Sequence, residues 1–522
     1  MEYVRRILDT ELDELFDQVS AIAIDGPKGV GKTTTAEQRV ASVVRLDSKA
    51  VRESIAAEPE QVLGRGRPLL IDEWQKVPEV WDVVRRAVDA EPAGGQFLLA
   101  GSASPAPAAT AHSGAGRIGR LRMRPMTLSE RGVTSPTVSL RRLLAGGREP
   151  LAGACPLTLR DYVEEIVASG YPAIRPLEGR SRRFQLDSYL HTAVDRDVPE
   201  QGLAVRKPEA MLKWLRAYAA ATATTASYAQ ILDAATPGQG DKPARSTSIA
   251  YRDVLTSLWL LDPVPAWAPS GSLLTRLGQT PKHHLADPAL AARLLGLSRD
   301  ALLDGAGTAV GPQAGSVLGH LFESLVTLCV RVPAQAAEAR VGHLRTRNGD
   351  HEIDLVVLRD DGRALAVEVK LANTVTDSDT KHLHWLAERM GDKLLDAIVI
   401  NTGNATCADV QELIRRVKKQ HYDARHNCWC YLLGGTVVRY SDLDEGFRIV
   451  NGSRYGLQAG IFTTKVDVAF RAHRELVVGG VIVGDVPSFR ADQMPYGGWK
   501  ASGTGREGVA SAMVDLTDDR IL

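Results

Sequence analysis

The clearest chemical pattern in the chain is the run GPKGVGKT at residues 26–33. Its spacing, G-x-x-x-x-G-K-[ST], is typical of a loop whose backbone N–H groups surround the phosphates of a nucleoside triphosphate. Lys32 can reach the β- and γ-phosphates, and the Thr33 hydroxyl can ligate Mg²⁺. We therefore predict ATP and Mg²⁺ as cofactors. The predicted ATP contacts are Gly26, Pro27, Lys28, Gly29, Val30, Gly31, Lys32, Thr33 and Thr34.

Two acids directly follow the apolar run 69–71 and supply the second half of such a site. Ligands of open α/β sheets bind beyond the carboxyl ends of the strands, which is where Asp72 and Glu73 fall. We expect Asp72 to bind Mg²⁺ and Glu73 to polarise the attacking water, so that Lys32 and Glu73 are catalytic. Ser102, at the tip of the next strand, either contacts the γ-phosphate or the water, or is an ordinary turn serine.

A second group of chemically capable side chains lies in EIDLVVLRDDGRALAVEVK at residues 352–370. Alternation along a strand puts Glu368 and Lys370 on the same face, and an intervening turn would bring Asp354 beside Glu368. Two carboxylates can ligate Mg²⁺, and a lysine can steer or activate the water. Glu323, on the preceding helix, could complete a second metal and nuclease site with these three residues. The alternative is the charged surface of an ordinary hairpin.

These groups need particular elements to hold them. The phosphate loop requires a strand before it and a helix after it; AIAID at 21–25 supplies the strand, and helix-compatible sequence begins at Thr33. Further strand-like runs at 69–71 and 96–100 alternate with helical patterns, which favours a parallel α/β sheet. From about 156 to 300 the apolar spacing is mainly helical.

Beyond residue 315 the pattern changes to one helix followed by three short strands. Apolar residues recur at helical spacing over 316–331, and strand-like runs follow at 343–347, 352–358 and 364–370. The last two strands form the hairpin that must carry the predicted second cluster.

Composition excludes several classes of protein. Hydrophobic residues make up 44% and charged residues 24%, which is ordinary for a globular protein. Lys and Arg number 63, as do Asp and Glu, so the chain is not globally basic, although a local basic patch stays open. Five scattered cysteines indicate a reducing compartment. Neither a secretory signal nor a run of about 18 apolar residues is found, so we expect a cytoplasmic protein without a membrane partner.

Several motifs together resemble one family of prokaryotic ATPases. In chain order they are GPKGVGKTT, LLIDEWQKVPEVWDVVRRAVD, FLLAGSAS, AGRIGRLRMRPMTLSERG and SGYP. Residues 1–403 thus resemble AAA-superfamily P-loop ATPases that carry a C-terminal domain of unknown function with an endonuclease-like fold. The resemblance implies that Arg117, with Arg120 as the alternative, contacts the γ-phosphate. The set Asp354, Glu368 and Lys370 is similar to the D…E-x-K motif of restriction-endonuclease-like nucleases.

The resemblance also implies an overall fold and partners. The expected fold class is α/β, with a P-loop AAA-type parallel sheet and its helices, then a helical winged-helix-like region, then a restriction-endonuclease-like α/β domain. Winged-helix units often bind DNA, but basic residues are sparse in the middle region, so a purely structural role stays open. ATPases of this superfamily often act as oligomers, so DNA and further copies of the chain are the expected macromolecular partners.

The C-terminal part resembles other families. Residues 409–442 look like a fragment of the IMPACT family. The motifs YGLQAGIFT, GGVIVGDVPSFR and MPYGGWKASGTGREG, within 443–522, resemble the C-terminal end of an aldehyde dehydrogenase. Because this segment carries neither a dinucleotide-binding domain nor a catalytic cysteine region, we expect no dehydrogenase activity.

The expected function is Mg²⁺-dependent binding and hydrolysis of ATP, coupled to a nuclease-like domain. The alternatives are a nucleotide-gated DNA-processing nuclease and an interaction protein that binds ATP without hydrolysing it. The predicted domains are a P-loop ATPase domain at 1–150, a winged-helix-like region at 151–300, an endonuclease-like domain at 301–403, an IMPACT-like fragment at 404–442 and a dehydrogenase-like fragment at 443–522.

Overall fold

The chain divides into two compact units, Met1–Lys418 and Lys419–Leu522, each of which is described by itself. The computed structural model describes residues 3–102, 115–133, 135–146, 155–205, 207–236, 245–269, 280–304, 314–346, 349–373, 375–403 and 442–452, with short stretches between 455 and 507.

The first unit begins with a five-stranded sheet in which all neighbouring strands run parallel. The strands are β1 Ala21–Asp25, β2 Ser42–Arg45, β3 Leu69–Asp72, β4 Phe97–Gly101 and β5 Ile118–Arg122. Their order across the sheet is β2-β3-β4-β1-β5. The three central strands are buried along their whole length, as expected for a parallel sheet covered on both faces. The predicted parallel α/β sheet is confirmed.

Helices cover both faces of this sheet. They are α1 Ile7–Leu15, α2 Lys32–Glu37, α3 Lys49–Ala57 and α4 Glu79–Ala90, with 3₁₀ turns at Pro59–Gly64 and Trp74–Lys76. On one face, Ile22 and Ile24 share a core with Leu8 and Leu12 of α1. On the other face, Ile71 and its neighbours pack with the apolar stripe of α4. The alternation of side chains along each strand therefore fills two separate cores.

The middle of the first unit is helical, as predicted. Its helices are α5 Leu140–Leu144, α6 Leu159–Ala168, α7 Gly179–Thr192, α8 Val198–Glu200, α9 Pro208–Ala220, α10 Tyr228–Ala235, α11 Arg245–Ser257, α12 Pro288–Leu294 and α13 Arg299–Leu303, with a π-helical turn Ala193–Asp197 between α7 and α8. Between α11 and α12, the described residues 260–269 and 280–287 form two extended pieces, in which Val264 pairs with Lys282 and Leu261 with Leu285. The winged-helix assignment stays a prediction.

The rest of the first unit is a four-stranded mixed sheet with two long helices. The elements are α14 Ala314–Ala336, β6 Arg340–Arg345, β7 Glu352–Leu358, β8 Ala364–Val369, α15 Asp377–Met390 and β9 Leu394–Ile400, with a 3₁₀ turn Gly391–Lys393. The order is β6-β7-β8-β9; the first three strands are antiparallel neighbours and β9 runs parallel to β8. The predicted helix and hairpin are thus present.

One helix in the described part of the chain, Val317–Ala336, is long and apolar enough to cross a membrane by composition alone. It is a weak signal, because 61% of that stretch is buried inside the first unit, as in the core helix of a globular domain.

The second unit contains α16 Leu443–Asn451 and α17 Val466–Glu475 around short strands. The strands are β10 Tyr455–Gly456, β11 Gln458–Ile461, β12 Gly480–Val483, β13 Tyr496–Gly497, β14 Trp499–Lys500 and β15 Arg506–Glu507. β11 and β12 pair in parallel above a small core that contains Phe447, Ile461 and Leu476. Nearly all of the predicted IMPACT-like fragment lies outside the described residues.

Candidate functional site

The loop after β1 turns back over the sheet because three of its residues adopt backbone angles that favour glycine. Gly26, Gly29 and Gly31 have φ values of 153°, 79° and 103°. A Cβ atom on Gly26 would lie 2.2 Å from the carbonyl oxygen of Met123, so only glycine fits between the loop and the end of β5. This backbone leaves a nest of the kind that binds phosphate oxygens.

Lys32, the first residue of α2, is buried beneath this loop. Its Nζ donates hydrogen bonds of 2.8 Å to the carbonyl oxygens of Gly26 and Pro27. Burial lowers the pKa of Lys32 to about 8, although the carboxylates of Glu73 and Asp72 oppose the shift. The ammonium is therefore held at the loop, beside the acids that end β3.

One of those acids contacts the helix that follows the loop. The Thr33 hydroxyl donates to Asp72 Oδ1 at 2.8 Å, which joins the two predicted Mg²⁺ ligands. Glu73 Oε2 accepts hydrogen bonds from Gln75 at 2.7 Å and from the buried Ser102 hydroxyl at 3.2 Å. Ser102 therefore contacts Glu73, and its contact with the γ-phosphate or the water stays a prediction.

Glu73 has a strained backbone. Its φ and ψ are 54° and 40°, the left-handed region that a glutamate rarely occupies. Such conformations cost of order 1–3 kcal/mol and persist where the surroundings enforce them, often at functional sites. Here the fully buried Trp74 follows immediately and packs against Trp81, with ring centroids 4.5 Å apart. The tryptophan pair anchors the turn that presents Glu73.

The prediction that Arg117 contacts the γ-phosphate within the same chain is wrong. β5 runs parallel to β1 with Ile118 opposite Ala21, so Arg117 lies at the edge of the sheet opposite the phosphate loop. Five strand residues, roughly 15 Å, separate those edges. Arg117 is half-exposed and forms an ion pair with Asp89 at 2.9 Å. The resemblance suggested this contact, but the sequence pattern did not identify β5, so it could not show at which end of that strand Arg117 lies.

The alternative, Arg120, lies halfway along β5. Its guanidinium is 3.6 Å from Asp25 Oδ2 and lies over the ring of Trp81. Arg122, two residues further along β5, lies opposite Asp25 at the edge of the sheet that carries the phosphate loop.

Sequence reasoning missed the buried ion cluster built on this edge. Asp262 forms ion pairs with three guanidinium groups, those of Arg122 at 2.9 Å, Arg124 at 2.8 Å and Arg331 at 2.7 Å, and it accepts a hydrogen bond from Arg124. Burial alone would raise the pKa of Asp262, but the three cations hold it well below its usual range. This single carboxylate joins β5, the extended segment after α11 and helix α14.

The phosphate loop is also tied to the helical region. Lys28 Nζ lies 2.6 Å from Asp197 in the π-helical turn and 3.7 Å from Glu200. The hydroxyl of Tyr189 on α7 donates to the Lys28 carbonyl at 3.3 Å. From the other side, Arg6 donates to the carbonyl of Val30 at 2.9 Å. The loop is therefore in direct contact with the elements that surround it.

The second predicted cluster forms, but around a lysine. Asp354 lies next to Glu368 across the antiparallel pair β7 and β8, and Lys370 Nζ donates to Glu368 Oε1 at 2.9 Å. Lys282 Nζ donates to Glu323 Oε1 at 2.8 Å and to Asp354 Oδ1 at 2.9 Å. Burial is the largest cause that raises the pKa of both Glu323 and Glu368, and repulsion by the Asp354 carboxylate is the next largest.

The predicted metal site at Glu323, Asp354, Glu368 and Lys370 is therefore not formed as expected. Among the residues described, no three His, Cys, Asp or Glu side chains are arranged to hold a metal ion. The physical reason is the ammonium of Lys282, which stands between the carboxylates.

Fold and loop together define a P-loop nucleotide-binding domain. Residues 18–131 match the family model described as an AAA domain, and the five-stranded parallel sheet agrees with a P-loop AAA fold. Residues 159–301 and 318–420 match two further models, both described as domains of unknown function (DUF8612 and DUF4143). The ORC2 protein of Aeropyrum pernix aligns with 62% of this chain and 93% of its own at 15% identity, but a TM-score of 0.24 establishes no shared overall fold.

Residues 435–521 match the aldehyde dehydrogenase family model, which confirms the predicted dehydrogenase-like segment. The 3-sulfolactaldehyde dehydrogenase of Priestia aryabhattai is 48% identical over 86 residues, which are 16% of this chain and 18% of that enzyme. The lactaldehyde dehydrogenase of Methanococcus maripaludis is 39% identical over 84 residues, again 16% and 18%. The chain thus spans less than a fifth of the length of these curated relatives.

Proposed function

We propose that the first unit binds and hydrolyses ATP with Mg²⁺ at the loop 26–33. The observation that carries this proposal is the 2.8 Å hydrogen bond between Thr33 Oγ1 and Asp72 Oδ1. It puts a hydroxyl and a carboxylate, both ligands that Mg²⁺ accepts, side by side beneath a glycine nest. The match of residues 18–131 to an AAA domain supports the same activity.

Each residue has a defined role in this proposal. Thr33 and Asp72 would hold Mg²⁺, which neutralises charge on the β- and γ-phosphates. Lys32 would balance the same charge, and the loop N–H groups would bind the phosphate oxygens. Glu73, oriented by Ser102, would align the attacking water and accept its proton.

The direct test is the release of inorganic phosphate from ATP by the full chain. We expect turnover with Mg²⁺ and none after chelation with EDTA, because the metal and Lys32 share the charge of the phosphates. The assay is run with and without DNA. Tight ATP binding without turnover under both conditions would contradict hydrolysis and favour a nucleotide-binding switch.

We infer further that the ion pair between Lys28 and Asp197 transmits the state of the loop to the helical region. Asp197→Asn removes the charge that holds Lys28 but keeps the size of the side chain. We expect ATP to slow amide hydrogen exchange in residues 186–200 of the wild type, and this response to be largely lost in the variant. The Kd for ATP should change by less than about tenfold, equivalent to about 1.4 kcal/mol.

Hydrogen exchange followed by mass spectrometry measures this response. Asp195→Asn is the matched control, because Asp195 is exposed on the same turn. An unchanged response to ATP in Asp197→Asn would show that the ion pair does not carry the coupling.

Phosphodiester cleavage is not part of the proposal, since Lys282 stands among the carboxylates that would hold the metal. Dehydrogenase activity is not proposed either. The matched segment 435–521 contains no cysteine and corresponds to less than a fifth of those enzymes. DNA and further copies of the chain stay the proposed partners.

A further inference from the structure

The carboxylate cluster of the second sheet contains a cation supplied by the chain itself. Lys282 is only 1% exposed, and its Nζ lies 2.8 Å from Glu323, 2.9 Å from Asp354 and 3.3 Å from Glu352. Its backbone pairs with Val264, so the lysine belongs to the extended segment between α11 and α12. Its side chain crosses from there to α14 and β7.

The cluster holds more negative than positive groups. Four acidic side chains, those of Glu323, Glu352, Asp354 and Glu368, face three basic ones, those of Lys282, Lys370 and Arg345, the last of which lies 3.8 Å from Glu352. The remaining oxygen of Asp354 accepts from the backbone N–H of Val369 at 2.8 Å. Glu368 is 4% exposed, and its Oε2 atom has no hydrogen-bond partner. The cluster therefore contains a buried carboxylate oxygen without a hydrogen-bond partner, in addition to the oxygens that bind Lys282.

We propose that the ammonium of Lys282 takes the position of a divalent cation in this cluster and keeps it free of metal. The cluster has the oxygen donors that Mg²⁺, Mn²⁺ and Ca²⁺ select. An ammonium and a divalent ion do not share it, because their repulsion in a buried setting is strong. The inference does not depend on ATP hydrolysis, since none of these residues belongs to the phosphate loop.

Small side-chain movements separate the two states. The Lys282 ammonium holds Glu323 and Asp354 oxygens at 2.8–2.9 Å, whereas a Mg²⁺ ion holds its ligands at about 2.0–2.1 Å. Removing the ammonium lets these oxygens close by less than about 1 Å onto a metal ion. The free Oε2 atom of Glu368 is available as a third donor.

The test is a titration of the full chain with Mn²⁺ in the absence of nucleotide, followed by the electron paramagnetic resonance signal of free Mn²⁺. Lys282→Met replaces the ammonium by an apolar chain of similar length. We expect this variant to bind Mn²⁺ at least about tenfold more tightly than the wild type, and the gain to disappear in Lys282→Met/Asp354→Asn. Lys213→Met, at an exposed lysine of the helical region, should leave Mn²⁺ binding unchanged.

A second comparison does not need the lysine variant to fold. The wild type and Asp354→Asn should bind the same small amount of Mn²⁺, because the cluster is closed in both. Mn²⁺ binding by the wild type that is lost in Asp354→Asn would overturn the proposal. A folded Lys282→Met chain that gains no Asp354-dependent binding would overturn it as well.

Discussion

Glu73→Gln should keep ATP binding and lose turnover by about 10²–10⁴-fold, the usual contribution of a general base. Glutamine has nearly the same size, and its amide oxygen can still accept the hydrogen bonds from Gln75 and Ser102. The turn and its left-handed backbone should therefore survive. Only the carboxylate that would take the proton from water is removed. Phosphate release measures kcat, and binding of a fluorescent ATP analogue measures Kd.

The control for this variant is Glu79→Gln. Glu79 is exposed in the first turn of α4, a few residues beyond Glu73, so the same chemical change should leave kcat within about twofold. If Glu73→Gln hydrolyses ATP at the wild-type rate, Glu73 is not the base. The proposed role would then need another group to align the water.

Asp262→Asn should produce the largest loss of stability. The substitution leaves three guanidinium groups, whose side chains are 9–20% exposed, around a neutral amide. Removing one partner of a buried ion pair costs about 3–5 kcal/mol, because the remaining charge is left uncompensated. Thermal unfolding and the yield of soluble protein measure the effect. We expect a melting temperature many degrees below that of the wild type, or no folded protein.

Asp253→Asn is the matched control. Asp253 also forms an ion pair with an arginine, Arg252, but at the surface, where its side chain is 60% exposed. Exposed pairs contribute about 0–1 kcal/mol, so this variant should melt close to the wild type. A melting temperature of Asp262→Asn equal to that of the control would show that the buried cluster does not stabilise the unit.

The phosphate site was predictable from sequence because its information is local. The glycine spacing, the following Lys32 and Thr33, and the acids that end β3 all lie within short segments whose geometry is regular. The same holds for Asp354 and Glu368, which a hairpin with strand alternation places side by side. In both cases the backbone pattern alone determines which side chains meet.

What sequence reasoning missed depends on contacts between distant segments. Lys282 meets Glu323 and Asp354 only because residues 280–287 pair with residues 260–269 and its side chain reaches α14 and β7. Helical or strand periodicity in the sequence does not indicate which lysine will enter a buried carboxylate cluster. Asp262 is hidden in the same way, since its three arginines come from two other elements. The prediction for Arg117 has a different history, because it rested on the family resemblance and β5 itself was not predicted.

The arginine–aspartate cluster also sets a time order for synthesis on the ribosome. Arg124 precedes Asp262 by 138 residues, and Arg331 follows Asp262 by 69. The N-terminal strands emerge first, yet the edge of the sheet that carries the phosphate loop keeps uncompensated guanidinium groups until residue 262 has left the exit tunnel. A nascent chain of about 150 residues is therefore not a finished module. The edge of the sheet beside the phosphate loop is completed late, because Asp262 and Arg331 are made long after β5.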